Sequence, residues 1–257
     1  MNHIVQQNDI ITLLDNKQKA YLIDTSQSTD LYKGVGVINP QDFINKQYGS
    51  QIEIGNKQFW ILKPTLQDML KALKRKAQII LAKDAAQIII NCSITPGKKV
   101  LEAGIGSGSL TTVLAAIVGK KGTIISYDYR KEFIDHAIKN LKKTHLDQQV
   151  ITKHKDITQE IEETDLDAVI LDIPNPWEAI PHVWKSLTPG GYLCTYSPLI
   201  SQVEQTVKEI HHQRFINIKT IETIEREMIV GPRGTRPSFH MLGHTGYLTF
   251  ARKVLEQ

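Results

Sequence analysis

Two loops, each at the end of an apolar strand, constrain this chain more than any other feature. Lys99-Val100-Leu101-Glu102-Ala103-Gly104-Ile105-Gly106-Ser107-Gly108-Ser109-Leu110 reads as a strand ending in a glycine turn that opens a helix. Ala168-Val169-Ile170-Leu171-Asp172-Ile173-Pro174-Asn175-Pro176-Trp177 reads as a second strand ending in an acidic, proline-stiffened loop. In an open α/β sheet both loops lie at the carboxyl ends of neighbouring strands, where ligands bind. One loop is suited to cradle a cofactor while the other presents a carboxylate to a flat polar substrate.

The surrounding pattern supports that sheet. Strand signals at 100–101, 123–127, 150–154, 167–171 and 192–196 alternate with helical spacing at 109–118, 131–143, 176–187 and 201–212. Thr188-Pro189-Gly190-Gly191 marks a turn before the fifth strand, and apolar segments at 216–224 and 246–250 suit a closing hairpin. Such alternation predicts an α/β, Rossmann-like, doubly wound and mostly parallel sheet. Residues 1–63 differ. Ile10-Ile11-Thr12-Leu13-Leu14 and Ala20-Tyr21-Leu22-Ile23 flank Asp15-Asn16-Lys17 as a hairpin, and glycines punctuate further short apolar runs. This predicts a small β-rich, barrel-like N-terminal domain. The boundary falls near Lys63, ahead of a helix at 66–76, leaving 64–257 as the larger domain.

Composition excludes several classes. The 257 residues are 41% hydrophobic and 23% charged, ordinary for a globular protein. The longest apolar run, around Ile88-Ile89-Ile90, falls far short of a membrane span of ~20 residues. Met1 to Asp9 lacks the basic and apolar blocks of a signal peptide. Together these predict a cytoplasmic protein with no membrane partner. Cys92 and Cys194 stand alone in sequence, so neither a metal site nor a disulfide framework is expected. The net charge of +4 is compatible with an anionic partner. Basic residues cluster at 71–76 and again from Arg226 through Arg233, Arg236, His240 and His244.

The glycine loop has the spacing Gly104-x-Gly106-x-Gly108, with Ser109 where a nicotinamide fingerprint places Gly or Ala. Glycines let the backbone approach a ligand, and a helix N-terminus favours an anionic group. Glu102, two positions before the first glycine, is placed to order an ammonium. This combination favours S-adenosylmethionine, with Glu102, Gly104, Gly106, Ser107, Gly108, Ser109 and Leu110 as the cofactor-binding run. Asp128 ends the second strand, where a carboxylate takes a ribose hydroxyl pair. Asp156, after the third strand, suits an adenine amino group or a helix cap. Pro174 and Pro176 stiffen the loop that begins at Asp172, as a substrate platform requires. Trp177 reads as a packing anchor, and Tyr196 either flanks a planar substrate or packs in the core.

Taken together, these residues resemble the tRNA (adenine-N1)-methyltransferases of the TrmI type. The resemblance runs from Ala77-Gln78-Ile79-Ile80 through Lys83-Asp84-Ala85-Ala86, the glycine loop, Ser126-Tyr127-Asp128, Asp172 to Trp177 and Ser197-Pro198. It closes at Leu242-Gly243-His244-Thr245-Gly246-Tyr247-Leu248. The most specific segments are Asp172-Ile173-Pro174-Asn175-Pro176-Trp177 and His244-Thr245-Gly246-Tyr247. The resemblance implies methylation of N1 of adenosine 58 in the tRNA T-arm, S-adenosylmethionine as donor, and a homotetramer. It makes Asp172 the catalytic residue, also beside the cofactor, and puts Gln78 by the cofactor pocket. Tyr196, His244, Arg233 and Arg236 are the candidate substrate contacts. One departure is Ile80-Leu81-Ala82-Lys83-Asp84, where the family often has an aromatic residue or His followed by Pro. Leu81 neither stacks nor hydrogen-bonds in that way. The alternatives are a methyltransferase with a protein or small-molecule acceptor, and a non-catalytic tRNA-binding partner subunit.

Overall fold

The computed structural model describes residues 3–255, so Met1 and Asn2 of the N-terminal stretch lie outside the described residues. The chain divides into two compact units, Met1–Lys74 and Arg75–Gln257.

In the first unit, β1 (Ile10–Asp15) and β2 (Ala20–Asp24) form the expected antiparallel hairpin. Strands β3 (Asp30–Tyr32) and β4 (Gly36–Ile38) make a separate ribbon. Strands β5 (Gln51–Ile54) and β6 (Lys57–Leu62) complete a four-stranded sheet in the order β2-β1-β6-β5. Among the described residues this sheet ends at β2 and β5 as edge strands, with the β3–β4 ribbon beside it as a separate sheet. Alternate residues Ile11, Leu13, Phe59 and Ile61 bury one face with Ile23, Ile38 and Phe43. Helix α1 (Leu66–Ala72) starts at a capping box: Asp68 N donates to Thr65 Oγ1 (3.1 Å) and Thr65 N to Asp68 Oδ2 (2.9 Å). Such a cap contributes about 1 kcal/mol. The Thr12 hydroxyl reaches the same carboxylate (3.3 Å), which ties α1 to β1. That packing draws the helix into the first unit and moves the break from Lys63 to Lys74.

The second unit begins with α2 (Ala82–Asn91), where the sequence pattern placed no element. It then alternates through β7 (Lys99–Ala103), α3 (Ser109–Val118), β8 (Thr123–Asp128), α4 (Lys131–Lys143) and β9 (Val150–His154). Strand β10 (Leu166–Leu171), α5 (Pro176–Ser186), β11 (Leu187–Ser197) and α6 (Ile200–His212) follow. The chain closes with β12 (Phe215–Glu222), β13 (Met228–Gly231), β14 (Gly234–Pro237) and β15 (Tyr247–Lys253). The expected turn at 188–191 is absorbed into β11 as an irregularity, with Gly190 at φ +78° and a register shift against β10.

Seven strands form one sheet in the order β12-β15-β11-β10-β7-β8-β9. Strands β7 to β11 run parallel, and β15 is antiparallel to both its neighbours. Successive residues of β7, β8 and β10 are buried, as in parallel strands covered on both faces. Helices α5 and α6 cover the face that carries Leu101, Val169 and Leu193, with Trp177 packed against that cluster. The chain moves outward through β7, β8 and β9 and then returns to β10 beside β7. That reversal is the topological switch point, where α/β sheets open a crevice.

Candidate active site

The switch point joins the glycine loop after β7 to the acidic loop after β10. Asp172 N donates to Ala103 O and Gly104 N to Tyr127 O, each at 2.9 Å. Gly104 has φ +92°, and a Cβ there would lie 2.0 Å from the carbonyl oxygen of Asp172. Only glycine satisfies both the conformation and the contact. Across the loop, Gln202 Nε2 at the start of α6 donates to Pro174 O at 2.8 Å. The acidic loop is therefore held by β7 on one side and α6 on the other.

Between them is a cavity of about 390 Å³ lined by Ala103, Gly104, Tyr127 to Arg130, Lys155 to Gln159, Asp172 to Asn175, and Glu178. Of the expected cofactor residues, Gly104, Asp128, Asp156 and Asp172 line it. Asp128 is buried at the end of β8. Its Oδ1 accepts from Arg130 N (2.9 Å) and Nε (3.1 Å), and its Oδ2 from Nη2 (3.3 Å). The guanidinium also lies over the Phe133 ring, 3.9 Å from its centroid. Asp156 is exposed at the rim, its Oδ1 accepting from Thr158 N (2.9 Å) and Oγ1 (2.7 Å) in an Asx turn.

Burial pushes the Asp172 carboxyl up to about 7, with Arg130 opposing that rise and Asp128 reinforcing it. Glu102 sits behind the cavity. Its Oε2 accepts from Thr111 Oγ1 (2.6 Å) and Ser126 Oγ (2.9 Å), linking β7 to α3 and β8. Burial pushes this carboxyl up to about 8 against those two hydrogen bonds.

The rest of the glycine run does structural work. Ser107 Oγ accepts from Lys76 N (2.9 Å) and Ala77 N (3.3 Å), while Ser107 O accepts from Asn140 Nδ2 (2.9 Å). Ser109 Oγ donates to Ile80 O (3.3 Å). Both serines thus anchor the segment that carries Gln78, which is itself exposed and away from the cavity lining. Leu110 is buried, and neither Gly106 nor Gly108 lines the cavity. Gly108 adopts φ +77° as the N-cap of α3.

The candidate substrate residues are differently placed. The buried Tyr196 donates its hydroxyl to Thr245 O (2.6 Å). His244 meets Glu222 Oε1 through Nδ1 (2.6 Å) and Pro198 O through Nε2 (2.8 Å). Two acceptors on one ring require both nitrogens to donate, so this is an imidazolium holding the base of a loop. Its pKa is raised, first by Glu222 and then by the Pro198 carbonyl. Arg233, in the turn between β13 and β14, is exposed. Arg236, in β14, is exposed with its guanidinium over Phe239, 4.1 Å from the ring centroid.

Sequence reasoning missed Arg130 and Lys83. The spacing of Arg130, two residues after the strand-ending Asp128, could have revealed it. Lys83 has no such local signal, because besides the adjacent Asp84 its partners Thr223 and Thr245 lie far along the chain.

A doubly wound sheet, a glycine loop at its switch point and a buried carboxylate at the end of the next strand define a class I S-adenosylmethionine-dependent methyltransferase. Residues 57–233 match the family of the tRNA methyltransferase complex GCD14 subunit, and the chain belongs to that family. The tRNA (adenine(57)-N(1)/adenine(58)-N(1))-methyltransferase TrmI of Methanocaldococcus jannaschii is 37% identical, across 93% of this chain and 93% of its own. A tRNA (adenine(58)-N(1))-methyltransferase TrmI of Thermus thermophilus is 30% identical across 95% and 96%. Among solved structures, TrmI from Aquifex aeolicus superposes with a TM-score of 0.78 at 28% identity, covering 98% of this chain and 100% of that one. A protein from Thermotoga maritima described as an S-adenosylmethionine-dependent O-methyltransferase has a TM-score of 0.86 at 32% identity, covering 99% and 96%.

Proposed function

We propose that this protein transfers a methyl group from S-adenosylmethionine to N1 of adenosine 58 in the T-arm of tRNA. The observation that carries the reading is the Asp172 carboxyl, held in a rigid loop on the wall of a cavity that also contains Asp128. Family membership supports the tRNA acceptor.

The residues present fit the donor. Asp128 suits a ribose hydroxyl pair, Asp156 suits an adenine amino group at the rim, and the Gly104 backbone leaves no room for a side chain. Glu102, Ser107 and Ser109 act from behind the cavity by holding β7, β8, α3 and the 76–80 segment together, and Gln78, Gly106, Gly108 and Leu110 lie outside its lining. Bound S-adenosylmethionine supplies a methyl group activated by its sulfonium. Asp172, as carboxylate, accepts a hydrogen bond from the adenine N6 amino group and so enriches N1. The same charge offsets the positive charge that N1-methylation leaves on the base. Catalysis of this kind rests on positioning and electrostatics, with no covalent step by the protein. The target base leaves its stack to reach the cavity; Tyr196, buried against Gly246, acts on the site indirectly through its hydrogen bond to Thr245 O. Arg233 and Arg236 hold tRNA phosphates, and His244 acts on substrate indirectly by fixing the loop beneath them.

Assembly as a homotetramer belongs to the same reading. The β13–β14 ribbon exposes Met228, Ile229 and Val230, with Phe239 and Leu242 close behind in sequence. An isolated two-stranded ribbon is marginal in water, so this one calls for a partner surface. A tRNA acceptor also fits a cytoplasmic location.

The test is nucleoside mass spectrometry of unmodified tRNA transcript incubated with the protein and S-adenosylmethionine. The expected product is 1-methyladenosine mapped to the T-arm, formed far more slowly by Asp172→Asn. Methylation of oxygen or of a non-RNA acceptor would replace the reading with the chemistry described for the T. maritima protein. Donor binding without transfer would point to another acceptor, and loss of both to a non-catalytic partner subunit.

A further inference from the structure

Strand β12 ends at Glu222 and β15 begins at Tyr247, so residues 223–246 form a long excursion from the sheet. The excursion carries the β13–β14 ribbon and the exposed residues Arg226, Arg233 and Arg236. Both of its ends meet at one ammonium. Lys83 Nζ donates to Thr223 O (2.7 Å) at the start and to Thr245 Oγ1 (2.7 Å) at the finish. Asp84 neutralises it, with Oδ1 at 2.8 Å and Oδ2 at 3.0 Å. Thr245 Oγ1 in turn donates to Asp84 Oδ2 (2.9 Å). The Lys83 side chain is 9% exposed and that of Asp84 is 0% exposed, so the pair lies out of water.

This cluster also reaches the cavity side of the sheet. Tyr196 donates to the carbonyl of Thr245 (2.6 Å), and its ring lies flush against Gly246, where a Cβ would stand 2.5 Å from Cζ. Burial, Asp84 and Asp172 push the Tyr196 hydroxyl up to about 12, with the Thr245 hydrogen bond opposing, so the ring lies within the field of both carboxylates. Buried ion pairs stabilise little over apolar replacements, but they select one arrangement of the segments they join.

We propose that Lys83 is a positioning residue: its ammonium staples both ends of the 223–246 excursion to helix α2 and to Tyr196, and so sets the basic arm in register with the cavity. The part of this inference that concerns tRNA rests on the proposed function. The staple itself acts on this chain's own segments.

Two full-length variants test it. Lys83→Met with Asp84→Asn removes the ammonium and its buried counter-charge together, and Thr245→Val removes the shared hydroxyl without touching a charge. Each is expected to bind S-adenosylmethionine within about twofold of the unmodified protein and to raise KM for tRNA transcript about tenfold, with a smaller change in kcat. Amide hydrogen exchange should accelerate across 223–246 while β7, β8 and β10 stay protected. Thr245→Ser, which keeps the hydroxyl, should restore both values. Unchanged exchange in the excursion, or donor affinity falling in step with tRNA affinity, would overturn the staple. If the double variant does not fold, Thr245→Val carries the same readouts. If the unmodified protein transfers nothing to tRNA, the proposed function fails, and the exchange pattern still decides the role of Lys83.

Discussion

At the scale of single residues, Asp172 and Gly246 make the sharpest demands. The ionised carboxylate of Asp172 accepts from an amino group far more strongly than the neutral acid does, and burial lifts its pKa to about 7. Methyl transfer measured as kcat/KM should therefore rise with pH up to about 7 and level above it, a limb that Asp172→Asn abolishes. That substitution should also lower kcat by about 100- to 1000-fold. Arg130 holds the limb down, so Arg130→Met should move it to higher pH; a limb that stays put or moves lower would contradict this electrostatic account. Gly246 has no room for a methyl group beside Tyr196. We expect Gly246→Ala to cost about 1–3 kcal/mol in urea unfolding and to raise KM for tRNA, because the ring must shift.

At the scale of elements, the β12–β15 pair depends on a charged histidine. His244 bridges Glu222 at the end of β12 to Pro198 just past β11. Its pKa is raised in the folded state. Its contribution to stability is therefore complete below the ordinary histidine value of about 6.5 and is lost as pH rises through the higher folded value. The melting temperature of His244→Gln should lie below that of the unmodified protein at about pH 6, and the gap should close as pH rises through the raised folded value. A gap that widens with pH would show the ring to be held neutral instead. Sheet and helix assignments divide by the range of their causes. Strands β7, β8 and β10 and helices α3 to α6 carry their periodicity locally and were legible. Helix α2 was not, because its buried Asp84 is a core residue only through Lys83 and Thr245.

On the scale of the whole molecule, the exposed ribbon and the arginines make separate demands. On the proposed tetrameric assembly, replacing Ile229 and Val230 together by Asp should shift the mass seen by light scattering toward that of the monomer while leaving the second unit folded. An unchanged mass would remove the ribbon from the interface. Replacing Arg233 and Arg236 by Ala should weaken tRNA binding and flatten its dependence on log salt by about one for each phosphate left unneutralised. Equal salt slopes in variant and unmodified protein would place the phosphate-binding residues elsewhere.

Local sequence was enough to specify the parallel sheet, the glycine loop and the strand-end carboxylates Asp128 and Asp172 that line the cavity. Strand and helix periods, φ-restricted residues and strand-end carboxylates act over a few positions and can be read one segment at a time. Which of those residues face the cavity was decided by long-range packing. Glu102, Ser107 and Ser109 turn to neighbouring segments, because Thr111, Ser126 and residues 76–80 offer hydrogen-bond partners that only the folded sheet brings near. Lys83 between Thr223 and Thr245 is of the same kind. A desolvated charge requires a partner, and the fold, not the local sequence, supplies it.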